Sequence, residues 1–281
     1  MKAKILYERL ENDFISSELS DIWAKYMVPV YDFLTENFKV RSMGLVCDSA
    51  EEITKVYSAV FPTDEVLKQI IDSETTDGML FLHHPSIWDI RSNPTFKQMN
   101  PLLVKKLRER KVSIYNLHVP LDNYSDYSTS KTLADALNIE VVKPFAQNRG
   151  GLAGVIGKTK CKTVEELNVV FSNAVGHSTK LYLYGDNIID GNIGIVAGGG
   201  NTMETIAELL DNNVKVLISG ITINNEVSSE IHNHEKANKI NVLGGTHYST
   251  EKFACLKMCG YFENLGLESV FMHGEPILED M

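Results

Sequence analysis

Cysteine is scarce in this chain: four in 281 residues, at Cys47, Cys161, Cys255 and Cys259. None forms a Cys-x-x-Cys pair, which excludes a zinc ribbon and a thioredoxin motif. Cys255 and Cys259 share a helical face, where small buried thiols are the simpler reading. Long apolar runs are missing too. No stretch approaches the length that spans a bilayer. The opening Met1-Lys2-Ala3-Lys4-Ile5-Leu6 lacks the apolar region of a secretory signal, so a cytoplasmic location is expected. Positive charge is in deficit: 27 Lys and Arg against 37 Asp and Glu leave a net charge of −10. That argues against a nucleic-acid scaffold that works by neutralising phosphates, though a local basic pocket stays compatible with it. No low-complexity linker or short-period repeat interrupts the chain. Apolar content of 43% and charge of 23% are ordinary for a soluble globular protein. The length allows two lobes or one large domain.

The element pattern is strand–helix–strand, the signature of parallel pairing with helical crossovers. Residues 1–35 read as a helical segment with Asp13, Ser17 or Ser20 as possible caps. A strand is expected over 40–47, helices over 50–60 and 63–73, a strand over 78–83, a helix over 101–110 and a strand over 112–117. After a short helix at 132–137 and a loop at 144–151, a second series runs to the end. Its strands are 152–157, 181–184, 193–197, 216–219, 239–243 and 269–272. Its helices are 163–174, 202–212, 228–237 and 251–265. Thr163 with Glu166 has capping-box spacing. The fold class is α/β, with two α/β lobes and mixed or mostly parallel sheets. Lobe one spans about 1–130 plus 245–281, and lobe two about 131–244.

The chemistry lies where strands end. In Met79-Leu80-Phe81-Leu82-His83-His84-Pro85 an apolar strand runs into two histidines, and Pro85 prevents its simple continuation. Neighbouring strand residues point to opposite faces, so both imidazoles can serve one site only if the backbone turns there. The bland alternative is a loop pair with no ligand. Asn116-Leu117-His118-Val119-Pro120-Leu121-Asp122 ends a second strand-like run. Gly244-Gly245-Thr246-His247-Tyr248-Ser249-Thr250-Glu251 ends a third. If the last turn is helical, His247 and Glu251 share one face and can reach one ion. In open α/β sheets, ligands bind beyond the carboxyl ends of strands. Hard and borderline donors favour zinc, manganese, iron or magnesium over thiolate-bound metals.

Other motifs have plainer accounts. Gly198-Gly199-Gly200-Asn201 sits between a strand and a helix and can expose amides to an anion. It lacks the Gly-Lys-Ser/Thr of a Walker loop, and Asn201 with Glu204 also reads as a capping box. His232 and His234 are two apart, about 200° around a helix, so His232-Asn233-His234-Glu235 is read as a solvated face. Trp88 is expected to pack rather than line a pocket. His177 and His273 receive no role.

Three blocks carry a resemblance to the Nif-three-like family, also named GTP cyclohydrolase I type 2 homologues: His83-His84-Pro85 with Trp88, Leu117 to Asp122, and Gly245 to Glu251. Ile195 to Asn201 matches in place and order, and the resemblance covers about 44–277. It implies a two-lobed α/β fold, a dinuclear metal centre and a homohexameric ring, built as a trimer of dimers. The family's ligands fall on His83, His84, Asp122, His247 and Glu251. Glu251 bridges two divalent metal ions, and His118 is an accessory ligand or supports Asp122 from behind. The implied activity is hydrolysis of a nucleotide-like small molecule, with Glu251 and His118 in the catalytic roles. A non-catalytic metal-binding or regulatory ring is the rival. Neither nucleic acid nor membrane is an expected partner. Two departures bear on the substrate contacts. Relatives often carry Asp-Asn-x-Gly-Leu-Gln where this chain has Arg41-Ser42-Met43-Gly44-Leu45-Val46. Relatives often have an acidic residue after a Thr-Gly where this chain has Ser219-Gly220-Ile221-Thr222.

Overall fold

The structure, a computed structural model, describes residues 1–88, 96–186 and 188–281; the Trp88 side chain lies outside the described part. The chain divides into two compact units. The first is Met1–Leu121 with Cys255–Leu278, and the second is Asp122–Ala254 with Glu279–Met281.

The first unit opens with α1 (Ala3–Phe14) and two 3-10 turns (Trp23–Tyr26 and Val28–Phe33). Then come α2 (Glu36–Arg41), β1 (Gly44–Cys47), β2 (Lys55–Ala59), α3 (Asp64–Asp72) and β3 (Gly78–Leu82). A small ribbon of β4 (Ile87–Trp88) and β5 (Phe96–Lys97) leads to α4 (Pro101–Glu109), β6 (Val112–Asn116) and α5 (Val119–Asp122), whose last residue opens the second unit. The second unit continues with α6 (Thr129–Ala136), β7 (Glu140–Asn148), β8 (Gly151–Lys158), α7 (Val164–Val175), β9 (Lys180–Tyr182), β10 (Asn192–Val196), α8 (Met203–Asp211), β11 (Val216–Ser219), α9 (Ser229–Ala237) and β12 (Asn241–Gly244). The long α10 (His247–Asn264) starts in the second unit, belongs to the first from Cys255 onward, and leads to β13 (Glu268–Phe271).

Each unit is built on one sheet. The first has strand order β1-β6-β3-β2-β13, parallel except for β1. The second has order β7-β8-β10-β11-β12-β9, with β10, β11 and β12 parallel and the remaining pairings antiparallel. The parallel strands are covered on both faces, which is why they read as continuous apolar runs. Ile195, Ile218 and Leu243 join one core with Leu133, Leu167 and Phe171. Their chain neighbours Val196, Leu217 and Val242 join another with Ile206 and Leu209. Each such side chain, fully buried, contributes about 1.5–3 kcal/mol. Threonine begins four helices: the hydroxyls of Thr35, Thr63, Thr163 and Thr202 each accept a backbone N–H from the first turn. Such a cap is typically worth about 1 kcal/mol.

Several expected elements differ. Residues 50–60 do not form a helix. Lys55–Ala59 is a strand between two parallel partners, buried on both sides, so it shows none of the alternation that marks an exposed strand. The expected loop at 144–151 is largely β7. Pro144 is tolerated there because β7 is an edge strand that pairs with β8 alone. The strand expected from residue 40 begins at Gly44, after the end of α2. Asp13 lies inside α1 near its end and is not a cap for its start. The last long helix begins at His247, four residues before the expected start.

Candidate metal centre

In the first unit, β3 and β6 are parallel neighbours with Leu82 opposite Asn116, so His83 and Leu117 leave the same edge together. The Leu117 N–H donates to Leu82 O at 3.0 Å, and the Asn116 amide donates to the carbonyls of Leu82 and His83. The backbone turns as two neighbouring ligands require. The rings of His83 and His84 lie 4.3 Å apart at 68°. His83 Nδ1 lies 3.0 Å from Leu117 O. A carbonyl only accepts, so Nδ1 carries the proton and the neutral ring keeps its lone pair on Nε2. His84 stacks on Phe61 at 4.7 Å and meets Trp23 edge-on at 6.0 Å. His118 joins them: one donor atom each of His83, His84 and His118 falls within 4.8 Å of the others. His83 and His84 are buried, and the His118 side chain is 16% exposed.

In the second unit, Gly244 and Gly245 end β12 beneath α10. A Cβ on Gly244 would fall 1.8 Å from the Thr222 hydroxyl. Thr246 and Ser249 cap the helix reciprocally, each hydroxyl accepting the other's N–H at 3.0 Å. One turn on, His247 Nε2 lies 3.1 Å from Glu251 Oε1, and both residues are buried. The helical spacing therefore does what the sequence indicated. Asp122 is half-buried, and its Oδ1 accepts from the Thr129 hydroxyl at 2.9 Å.

The glycine run serves this pair. Gly198 has φ +65, and a Cβ there would lie 2.0 Å from Glu251 Oε1. Its N–H donates to the Thr250 hydroxyl at 3.0 Å, so that amide answers to α10. The cap of α8 is Thr202, which accepts from Thr205; the expected Asn201 and Glu204 box does not form. The solvated-face reading of 232–235 is also corrected. His232 and Glu235 are 3% and 0% exposed. His232 Nε2 donates to Thr222 O at 3.0 Å, while Nδ1 lies 2.9 Å from Glu235 Oε2 and 3.0 Å from the Tyr184 hydroxyl. Burial pulls the His232 pKa down, but Glu235 and the backbone acceptors outweigh it and raise the value above its ordinary one. Cys255 is buried as expected while Cys259 is only half-buried, and His177 Nδ1 faces Ser178 O at the surface. Sequence reasoning missed Asp21. Its Oδ2 lies 2.8 Å from His118 Nδ1, across 97 residues of chain, and no local spacing announces it.

Three clustered imidazoles, and a helical histidine–carboxylate pair, suit a borderline divalent cation. The fold and these donors define a two-unit α/β protein with the equipment of a metal-binding protein. Comparison with known proteins narrows the class. Residues 30–276 match the Duf34/NIF3 (NGG1p interacting factor 3) family, and the chain belongs to it. A relative from Pyrococcus horikoshii named GTP cyclohydrolase 1 type 2 homolog is 25% identical over 237 residues, 82% of this chain and 88% of its own. Among solved structures, ybgI, a structural-genomics protein of unknown function, superposes with a TM-score of 0.76 at 18% identity, covering 99% of this chain and all of its own. Reduced HcgD from Methanocaldococcus jannaschii gives 0.70 at 25% identity, covering 98% of each chain. The α/β fold with two sheets is thus that of NIF3 structures. Among the described residues, no helix is long and apolar enough to cross a membrane.

Proposed function

We propose that this chain is a metal-dependent hydrolase in which His83, His84, Asp122, His247 and Glu251 together hold two divalent ions, with a nucleotide-like small molecule as substrate. The observation that carries the reading is the donor chemistry: buried imidazoles clustered after β3 and β6, and a buried imidazole–carboxylate pair at the start of α10. The relatives' name, GTP cyclohydrolase 1 type 2 homolog, points to a purine nucleotide. Bound ions of this kind supply an activated water and offset negative charge that develops on a substrate.

The chain's own residues do the rest. Leu117 O holds the Nδ1 proton of His83 and thereby directs its lone pair to Nε2. Glu251 contributes two oxygens on one carboxylate, which lets it bridge, and Gly198 leaves the space it occupies. His118 adds an imidazole edge to the His83 and His84 group. Of zinc, manganese, iron and magnesium, zinc and iron suit the imidazole-rich donors best, manganese draws on the carboxylates, and magnesium, an oxygen-seeking ion, fits least. The working assembly is a homohexamer in the cytoplasm.

The deciding experiment is a turnover screen of the protein loaded with each of these metals, over GTP, other nucleotides and phosphoesters, with His83→Ala as control. Turnover that disappears in the variant is expected. Tight metal uptake with no turnover on any substrate would transfer the reading to a non-catalytic metal-binding ring. Light scattering that gives a monomer at every concentration would remove the hexamer.

A further inference from the structure

Two buried carboxylates outside the family-matched span reach into the ligand-bearing elements. The match covers 30–276, and it includes neither Asp21 nor Asp280. The Asp21 side chain is 1% exposed. Its Oδ1 accepts the Ile22 N–H at 2.8 Å, and its Oδ2 lies 2.8 Å from His118 Nδ1. Trp23 Nε1 approaches the same nitrogen at 2.9 Å. These neighbours make opposite demands. An indole N–H only donates and asks for a lone pair on Nδ1, whereas an ionised carboxylate only accepts and asks for a proton there. One nitrogen cannot satisfy both. A charge-assisted hydrogen bond is about twice as strong as a neutral one, so the carboxylate prevails. In the neutral ring the His118 proton then sits on Nδ1 and the lone pair on Nε2.

Asp280 acts on the other ligand-bearing element. It is 6% exposed. Its backbone oxygen accepts the N–H groups of Thr222 and Ile223 at 2.7 and 3.0 Å, which ties residues 279–281 to the loop after β11. Its Oδ2 accepts the His247 N–H at 2.8 Å, at the first residue of α10. One residue thereby joins the β11 loop to the turn that carries His247, with Glu251 one turn further on. A negative charge at a helix N-terminus is also favourable to the helix dipole.

We propose that Asp21 and Asp280 are positioning residues for the metal centre: Asp21 sets the tautomer of His118, and Asp280 fixes the helical turn that presents His247 and Glu251. The inference rests on the metal reading above, but its structural half can be read without metal. Nitrogen-15 NMR of the metal-free full chain reports the His118 tautomer. We expect Nδ1–H in the wild type and in Trp23→Phe, and Nε2–H in Asp21→Ala, where Trp23 is left to donate. Amide hydrogen exchange at His247 should accelerate in Asp280→Ala and return toward wild type in Asp280→Asn, which keeps an acceptor oxygen. Cobalt titration then follows affinity and the visible spectrum. Asp21→Ala and Asp280→Ala should each lose about 10–100-fold in cobalt affinity, the range for groups that orient metal ligands. Asp21→Ala should also shift the visible bands, and Asp280→Asn should regain most of the affinity. If either alanine variant fails to fold, Asp21→Asn and Asp280→Asn replace it, with losses smaller but in the same direction. An Nε2–H tautomer in the wild type overturns the Asp21 assignment. Unchanged His247 exchange in Asp280→Ala overturns the Asp280 assignment. Wild-type cobalt affinity and spectrum in both alanine variants overturn the functional half of the proposal. A wild type that takes up no cobalt sinks the metal reading instead, while the tautomer and exchange results still decide whether the two carboxylates hold these groups.

Discussion

His247 with Glu251 and His232 with Glu235 are both buried histidine–glutamate pairs on helices of the second unit, at 3.1 and 2.9 Å. By residue type they are nearly the same object. Their surroundings differ. Both nitrogens of His232 are engaged, one by Thr222 O and the other by Glu235 and the Tyr184 hydroxyl. Tyr182 packs on its ring at 4.7 Å. That imidazole has proton acceptors on both sides and nothing to offer a cation. Glu251, by contrast, faces a glycine backbone that leaves it room, and its partner begins a helix whose N–H is held by Asp280. Pair composition alone therefore does not distinguish the two; what differs is what packs beside each, acceptors and tyrosine rings around His232 and a glycine backbone beside Glu251.

Substitutions can break this comparison. Glu251→Gln should have the largest effect on metal. Gln keeps the size but loses the negative charge, so affinity should fall by more than about 100-fold, beyond the range for residues that only orient ligands. Calorimetric titration with zinc checks this. Glu235→Ala should leave zinc affinity within about twofold, since the residue belongs to the other pair. It should instead lower stability by about 1–3 kcal/mol, because His232 loses a buried hydrogen-bond partner and reverts to the neutral ring. Urea denaturation measures that loss. Equal effects of the two substitutions on metal would erase the distinction.

Gly198→Ala sharpens the point from the side of space. The added methyl meets Glu251 Oε1, and the backbone has positive φ. A cost of about 1–3 kcal/mol in stability is expected, with weaker zinc binding in the same protein. The smallest effect concerns pH. The folded-state pKa of His232 is raised, so its stabilising contribution is fully present below the usual value of about 6.5 and fades as pH rises through the folded value. Glu235, Tyr182 and Tyr184 are the titratable groups that face it. Thermal melting of wild type and His232→Gln should differ most below about pH 6 and converge above the raised value.

How much the sequence disclosed follows the same divide between local and distant causes. The His247 and Glu251 pair was legible because four residues of helix place both on one face. The turn after β3 was legible because Pro85 and two adjacent imidazoles leave few alternatives. The Thr163 cap was legible because its partner is three residues away, and Glu166 N does donate to it at 3.1 Å. Asp21 was not legible, because its partner lies 97 residues along the chain. The place of Gly198 was not legible for a related reason: its neighbour Glu251 comes from another element, and a glycine run between strand and helix looks the same whether it cradles an anion or yields to a carboxylate. The burial of His232 was missed because helical angle alone does not show that Tyr182 and Tyr184 cover that face.

The central claim, that the donors after β3 and those opening α10 serve metal ions, is tested most directly by counting ions. Elemental analysis of the purified chain after reconstitution should give two divalent ions per chain in the wild type, and one or fewer in both His83→Ala and Glu251→Gln. No retained metal in the wild type, or the full wild-type content in both variants, would contradict it.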